Sequence, residues 1–246
     1  MNQDTKKRII EALKDQKAIF GDDLFEEKKA ERKNTLVAEK KIKYAEEPEL
    51  FPEEKEEWEK AESLEQLESL INNCTACKLC ECRNKFVFGT GNPNAEVMVV
   101  GEGPGAEEDK QGLPFVGRAG QLLTNMLKAI KFEREEVYIA NIVKCRPPGN
   151  RTPLPDEMDT CMPYLKKQYE LIKPKLILCL GLTAARGLLK KRDSLTNLRG
   201  KIFEFEDAKV MVTYHSAALL RNPNWKKDCW LDLQKFRKLY DEIVGV

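Results

Sequence analysis

The sequence predicts an α/β protein: a mainly parallel sheet covered by helices on both faces, preceded by a charged arm. Three observations lead there. Short apolar, β-branched runs recur along the chain, helical periodicity fills the intervals between them, and a Lys/Glu-rich first quarter carries neither pattern.

Residues 1–62 hold 14 Lys/Arg against 18 Asp/Glu, whereas the rest of the chain holds 28 against 23. The net charge of +1 therefore hides an acidic arm and a mildly basic remainder. Within the arm only short pairs such as Ile9–Ile10 and Leu24–Phe25 offer apolar surface, so it reads as a solvated helix or flexible extension. Nothing in it specifies a protein partner. The folded domain is expected over residues 63–246. Ser63-Leu-Glu-Gln66 fits a capping box, and Leu64, Leu67 and Ile71 follow at helical spacing. Strands are expected at Val97–Val100, Val137–Val143, Leu176–Leu180 and Lys209–Tyr214, which makes a four-stranded sheet. Between and after them, Leu122, Leu123, Met126, Leu127 and Ile130 form one helical stripe. Asp156–Leu171, Thr183–Leu189 and a last segment from about Trp225 to Ile243 form the other helices.

No segment reaches the ~18 consecutive apolar residues of a membrane span. The first ten residues lack the shape of a secretory signal, so the expected location is cytoplasmic. Eight cysteines in a reducing compartment point to metal ligation or buried thiols more than to disulfides.

In a parallel sheet the ligand site lies beyond the carboxyl ends of the strands. Three polar constellations fall there. The first strand runs into Gly101-Glu-Gly-Pro-Gly105, then Glu108-Asp109 and Gly112-Leu-Pro-Phe-Val-Gly117. This loop lacks the Lys-Ser/Thr of a phosphate loop and the spacing of a dinucleotide fingerprint, but it gathers Glu102, Glu108 and Phe115. The second strand carries Asn141, an amide in apolar surroundings that either ties down a loop or reads a planar heterocycle. The last strand ends at His215, the only histidine in the chain.

Cys74 and Cys77 form a C-x2-C pair, with Cys145 and Cys161 farther along and Cys80 and Cys82 close by. Four thiolates hold zinc or an iron–sulfur cluster, and the run Cys74, Cys77, Cys80 is similar to the start of a ferredoxin-type site. Spacing alone leaves the ligand set open. Cys179 in an apolar strand and Cys229 in a helix read as packing residues.

Together, GEGPGAEEDKQGLPFVGRAGQLLTNML, ANIVKCRPPGNRTP and TYHSAALLRNP resemble the family 4 uracil-DNA glycosylases, the iron–sulfur branch of their superfamily. The resemblance spans roughly Ser63 to the C-terminus. It implies an α/β/α sandwich and a [4Fe–4S] cluster on Cys74, Cys77, Cys145 and Cys161, leaving Cys80 and Cys82 outside. It implies excision of uracil from single- or double-stranded DNA by a monomer that flips the base out of the stack. It assigns Phe115 as stacking platform, Asn141 as reader of the uracil edge, and His215 with backbone N–H near Gly103 as donors to O2. Glu102 would handle water or the cationic sugar. Glu108 would line the pocket beside C5 or share the water task. Leu219, Leu220 and Arg221 would intercalate. Lys110, Arg118, Lys144, Arg146, Arg151 and Arg221 would meet phosphates. One departure stands out: the family's His-Pro is His215-Ser216 here. Three rival readings are a glycosylase acting on other deaminated bases, a non-catalytic iron–sulfur DNA-binding protein, and a zinc-stabilised module.

Overall fold

A computed structural model describes residues 56–245. All of them belong to one contact unit, Glu53–Val246. The expectation of a solvated arm falls on residues 1–62, of which 1–55 lie outside the described residues. Packing begins ahead of Ser63: Ala61 is buried, and Trp58 meets Tyr164 edge-on at 4.9 Å. Ser63 then caps helix α1 (Leu64–Ile71), its side chain accepting from the Gln66 N–H at 3.1 Å.

The strands are β1 (Thr90–Gly91), β2 (Val97–Gly101), β3 (Tyr138–Asn141), β4 (Leu176–Leu180), β5 (Ile202–Phe205) and β6 (Ala208–Thr213), in the order β1-β3-β2-β4-β6-β5. The inner four are parallel and are those the sequence predicts. The sheet has six strands rather than four, because an antiparallel strand closes each edge. β1 is two residues long and β5 is half exposed, so neither carries an apolar run to detect. The expected strand Val137–Val143 ends at Asn141, but Ile142 and Val143 still donate to the Gly101 and Glu102 carbonyls (3.0 and 3.2 Å), so the chain stays extended beside the site.

The helices are α2 (Ala106–Gln111), α3 (Arg118–Ala129), α4 (Pro155–Ile172), α5 (Leu182–Leu189), α6 (Leu195–Leu198), α7 (Ser216–Arg221) and α8 (Lys226–Val244). Strand alternation sorts the core into two layers. Val97, Val99, Leu176, Leu178 and Met211 face Leu123, Leu127, Leu233 and Phe236 of α3 and α8. Met98, Val100, Ile177, Val210 and Val212 face α1, α4 and α5 through Leu67, Leu165 and Ala184. Each fully buried Val, Leu, Ile, Phe or Met among them contributes roughly 1.5–3 kcal/mol. The result is the three-layer α/β/α sandwich. β2 leads leftward to β3 while β4 leads rightward to β6, so their outgoing loops part between them and leave a crevice there.

Candidate active site

The crevice is a cavity of about 490 Å³, and Glu102, Gly103, Glu108, Phe115, Asn141 and His215 all line it. They arrive from the ends of three strands, so the sheet places side by side what the chain separates.

Asn141 is the last residue of β3 and is 2% exposed. Its Oδ1 is buried and has no hydrogen-bond partner among the described residues. A buried acceptor left unpaired costs about 1–3 kcal/mol, so this amide is arranged for something beyond the protein. Gly101 makes the arrangement possible. A Cβ there would lie 2.4 Å from Asn141 Oδ1 and 2.6 Å from Phe115 Cζ.

Phe115 sits with φ at +53°, a left-handed conformation uncommon for a bulky residue. Three contacts hold it. Glu108 Oε1 accepts from the Val116 and Gly117 N–H at 2.9 and 3.0 Å. Arg134 donates to the Pro114 carbonyl at 2.7 Å. Gly120 lets α3 close down, since a Cβ there would overlap the Phe115 carbonyl. The ring stacks on His215 with centroids 5.5 Å apart, within direct-contact range.

His215 caps α7, its Nδ1 accepting from the Ala217 N–H at 3.1 Å. That bond assigns the proton of the neutral ring to Nε2, leaving Nε2–H as a donor. Burial, reinforced by the Arg221 charge and opposed by Glu108, holds the imidazole down at about 4. It is neutral at neutral pH. The end of β6 is fixed from behind: Thr213 donates to Asp232 at 2.9 Å, and Arg199 closes on the same carboxylate at 3.0 and 3.1 Å. Glu102 extends from the end of β2, and its carboxylate makes no hydrogen bond to another described residue.

The structure redistributes several expected roles. Leu219 is 2% exposed and packs in the core layer of α3 and α8, so it is not a surface wedge. Leu220, one position on, is 39% exposed. A helix turns consecutive side chains by about 100°, which is why the pair divides. Lys144 is fully buried and does not reach a phosphate. Arg151 is held bidentate by Glu157 at 2.6 and 2.8 Å, and Lys110 pairs with Glu107 at 3.1 Å. Arg118 and Arg221 are exposed, and Arg146 reaches Asn150 at 2.8 Å.

Cys74, Cys77, Cys145 and Cys161 gather on the α4 side of the sheet. Arg83 links two of the segments, donating to Cys145 Sγ at 3.1 Å and to the Cys74 carbonyl at 2.6 Å. Cys74 Sγ accepts from the Ala76 N–H and Cys161 Sγ from the Lys144 N–H, both at 3.4 Å, and Tyr164 Oη lies 3.3 Å from Cys74 Sγ. Burial pushes Cys145 up to about 11 and Cys161 up to about 12. Each is a thiol unless a metal supplies compensating charge. Among the described residues, no three His, Cys, Asp or Glu side chains are spaced to hold a metal ion. The donor chemistry nonetheless fits a group bound by several thiolates, because N–H donors already aim at three of the four sulfurs. Cys82 is exposed, and Cys80 joins the 3₁₀ turn Lys78–Glu81. Cys179 and Cys229 are buried in the sheet and in α8.

The profile of the uracil DNA glycosylase superfamily matches residues 88–234. A type-4 uracil-DNA glycosylase of Sulfurisphaera tokodaii is 46% identical over 176 residues, covering 68% of this chain and 80% of the relative. The chain belongs to the type-4 uracil-DNA glycosylases. Relatives of the same type from Archaeoglobus fulgidus and Thermotoga maritima are 42% identical over 175 residues and 49% over 151. These cover 68% and 61% of this chain, and 88% and 79% of the relatives.

Arg134, Gln168 and Asp232 carry no signal in the sequence, and Asp109 is visible there only as an acid of the Gly-rich loop. Asp109 is completely buried and accepts from the Asn84 N–H at 2.8 Å, tying α2 to the cysteine loop. Arg134 and Asp232 lie outside every motif, and only their tertiary partners reveal them.

Proposed function

We propose that this protein hydrolyses the N-glycosidic bond of deoxyuridine in DNA, releasing uracil and leaving an abasic site. One observation carries the reading: the unpaired acceptor of Asn141 is buried beside a stacking face, Phe115, and a fixed donor, His215 Nε2. That trio suits a flat heterocycle with a polar edge.

A base within a duplex cannot enter this cavity, so the nucleotide is extruded into it. Phe115 stacks on the flipped ring. Asn141 Oδ1 accepts from N3–H while its amide donates to O4, pairing the buried acceptor. Cytosine offers the opposite pattern to an amide held this way and leaves polar groups unpaired, a mismatch that discriminates by ~10⁴ or more in sites built around such bonds. As the C1′–N1 bond breaks, its electron pair moves into the uracil ring, and His215 Nε2–H donates to O2 with help from the N–H of Gly103. Glu102 orients the water that adds to C1′ and offsets the cationic sugar. Glu108 acts through the Phe115 loop, because one of its oxygens is already committed to two backbone N–H groups. Leu220 and Arg221 fill the space the base vacates, and Arg118 and Arg146 meet phosphates.

The ligands Cys74, Cys77, Cys145 and Cys161 would hold a [4Fe–4S] cluster, which when bound supplies a covalent brace between the loop before β1 and the start of α4. In this reading the protein is a cytoplasmic monomer acting on single- or double-stranded DNA.

The test is a uracil-containing oligonucleotide, which the wild type converts to an alkali-labile abasic site. His215→Ala and Asn141→Ala both slow this by at least 10²; full rate in both would refute the assignment. Protein purified anaerobically is brown and contains iron. A colourless, zinc-loaded sample would remove the cluster.

A further inference from the structure

Lys144 is fully buried, and its ammonium is held by two neutral acceptors, the Asn141 carbonyl at 3.0 Å and Gln168 Oε1 at 2.6 Å. Gln168 is itself locked, donating to the Phe88 carbonyl at 3.0 Å and to Tyr138 Oη at 3.1 Å. Among the described residues no carboxylate pairs with Lys144. A buried cation without a counter-charge is costly. Two of the four cysteines stand beside Lys144. Cys145 is the next residue, and Cys161 Sγ accepts from the Lys144 backbone N–H at 3.4 Å. On the other side Arg83 donates to Cys145 Sγ at 3.1 Å.

We infer that Lys144 is the buried counter-cation of the four-cysteine cluster and, through the Asn141 carbonyl, a positioning residue for the base-reading amide. The inference rests on the cluster assignment made above. An oxidised [4Fe–4S] core bears two positive charges and its four thiolates four negative ones, a net of −2. Lys144 and Arg83 together match that charge, one from within the core and one from the loop that carries Cys74 and Cys77. The same ammonium grips the last residue of β3, so the cluster environment and the pocket share one side chain. This explains why a lysine in the motif Val143-Lys-Cys-Arg146 points inward while Arg146, two residues on, stays partly exposed.

The experiment is voltammetry of the holoenzyme, with iron content measured on the same samples. Reduction adds an electron to an already negative group, so removing a nearby cation disfavours it. Lys144→Met should shift the reduction equilibrium at least tenfold toward the oxidised form, about 59 mV lower for one electron. Lys166→Met, an exposed lysine on α4, should leave it unchanged. Should Lys144→Met fail to fold, Gln168→Glu introduces a negative charge beside the ammonium without touching a cysteine, and it should lower the potential in the same direction. A loaded cluster with unaltered potential in Lys144→Met, or in Gln168→Glu where that variant stands in, overturns the inference. Absence of iron from the wild type overturns the cluster assignment instead, so the two failures are distinguishable. In the cleavage assay Lys144→Met and Asn141→Ala should be non-additive, because both act through one amide. Additive losses would refute the positioning role.

Discussion

Because His215 is held near 4, the enzyme should run with a neutral imidazole across its whole working range. The perturbation is pH. An unburied histidine titrates near 6.5, so the folded group has the lowered value and the unfolded chain binds the proton more tightly. The stability this neutrality contributes is full above 6.5 and is lost as pH falls through 4. The gap corresponds to about 3 kcal/mol at most. In catalysis the consequence is sharper. Protonation of Nδ1 breaks the bond from the Ala217 N–H, which fixes the ring at the head of α7. Single-turnover cleavage of a uracil oligonucleotide should therefore show no inflection near 6.5 and a limb near 4. The limb near 4 should disappear in His215→Gln, which keeps a neutral donor without a titrating ring. His215→Ala should lose about 10²–10³ in rate at pH 7, the cost of one donor to a developing oxyanion. An inflection near 6.5 in the wild type that is absent from His215→Gln would refute the reasoning.

Other expectations follow from packing. Leu219→Ala should destabilise by about 2–5 kcal/mol in chemical denaturation. Leu220→Ala should leave stability intact and slow cleavage of duplex more than of single-stranded substrate. Gly101→Ala should nearly abolish uracil release with only about 1–3 kcal/mol lost in stability, because the new methyl meets Asn141 and Phe115 first. Ser216→Pro should raise stability by about 0.4–1 kcal/mol, read as a higher melting temperature. The site suits proline: His215 is extended at φ −67° and ψ 136°, Ser216 opens α7, and its buried hydroxyl has no partner among the described residues.

The four inner strands were readable because each is a buried apolar run, and the long helices because their stripes repeat at 3.6 residues. The edge strands were not, since Thr90–Gly91 is too short and Ile202–Phe205 too exposed to leave a pattern. Glu102, Asn141 and His215 were legible as residues of the crevice because each is polar at the end of an apolar strand. Leu219 and Leu220 were not separable, because adjacent leucines in a motif give no phase until the helix axis is known.

By itself, the sequence determined the layer order, the crevice at the strand ends and the family, all of which depend on local pattern and motif spacing. Tertiary structure alone decided what each polar group does. Lys144 and Arg146 have the same charge and lie in one motif, yet one is sealed in the core against Gln168 and the other stays partly exposed. Charge is a property of the residue, but burial and partners are properties of the fold, and they determine whether a cation meets solvent, a carbonyl or a thiolate.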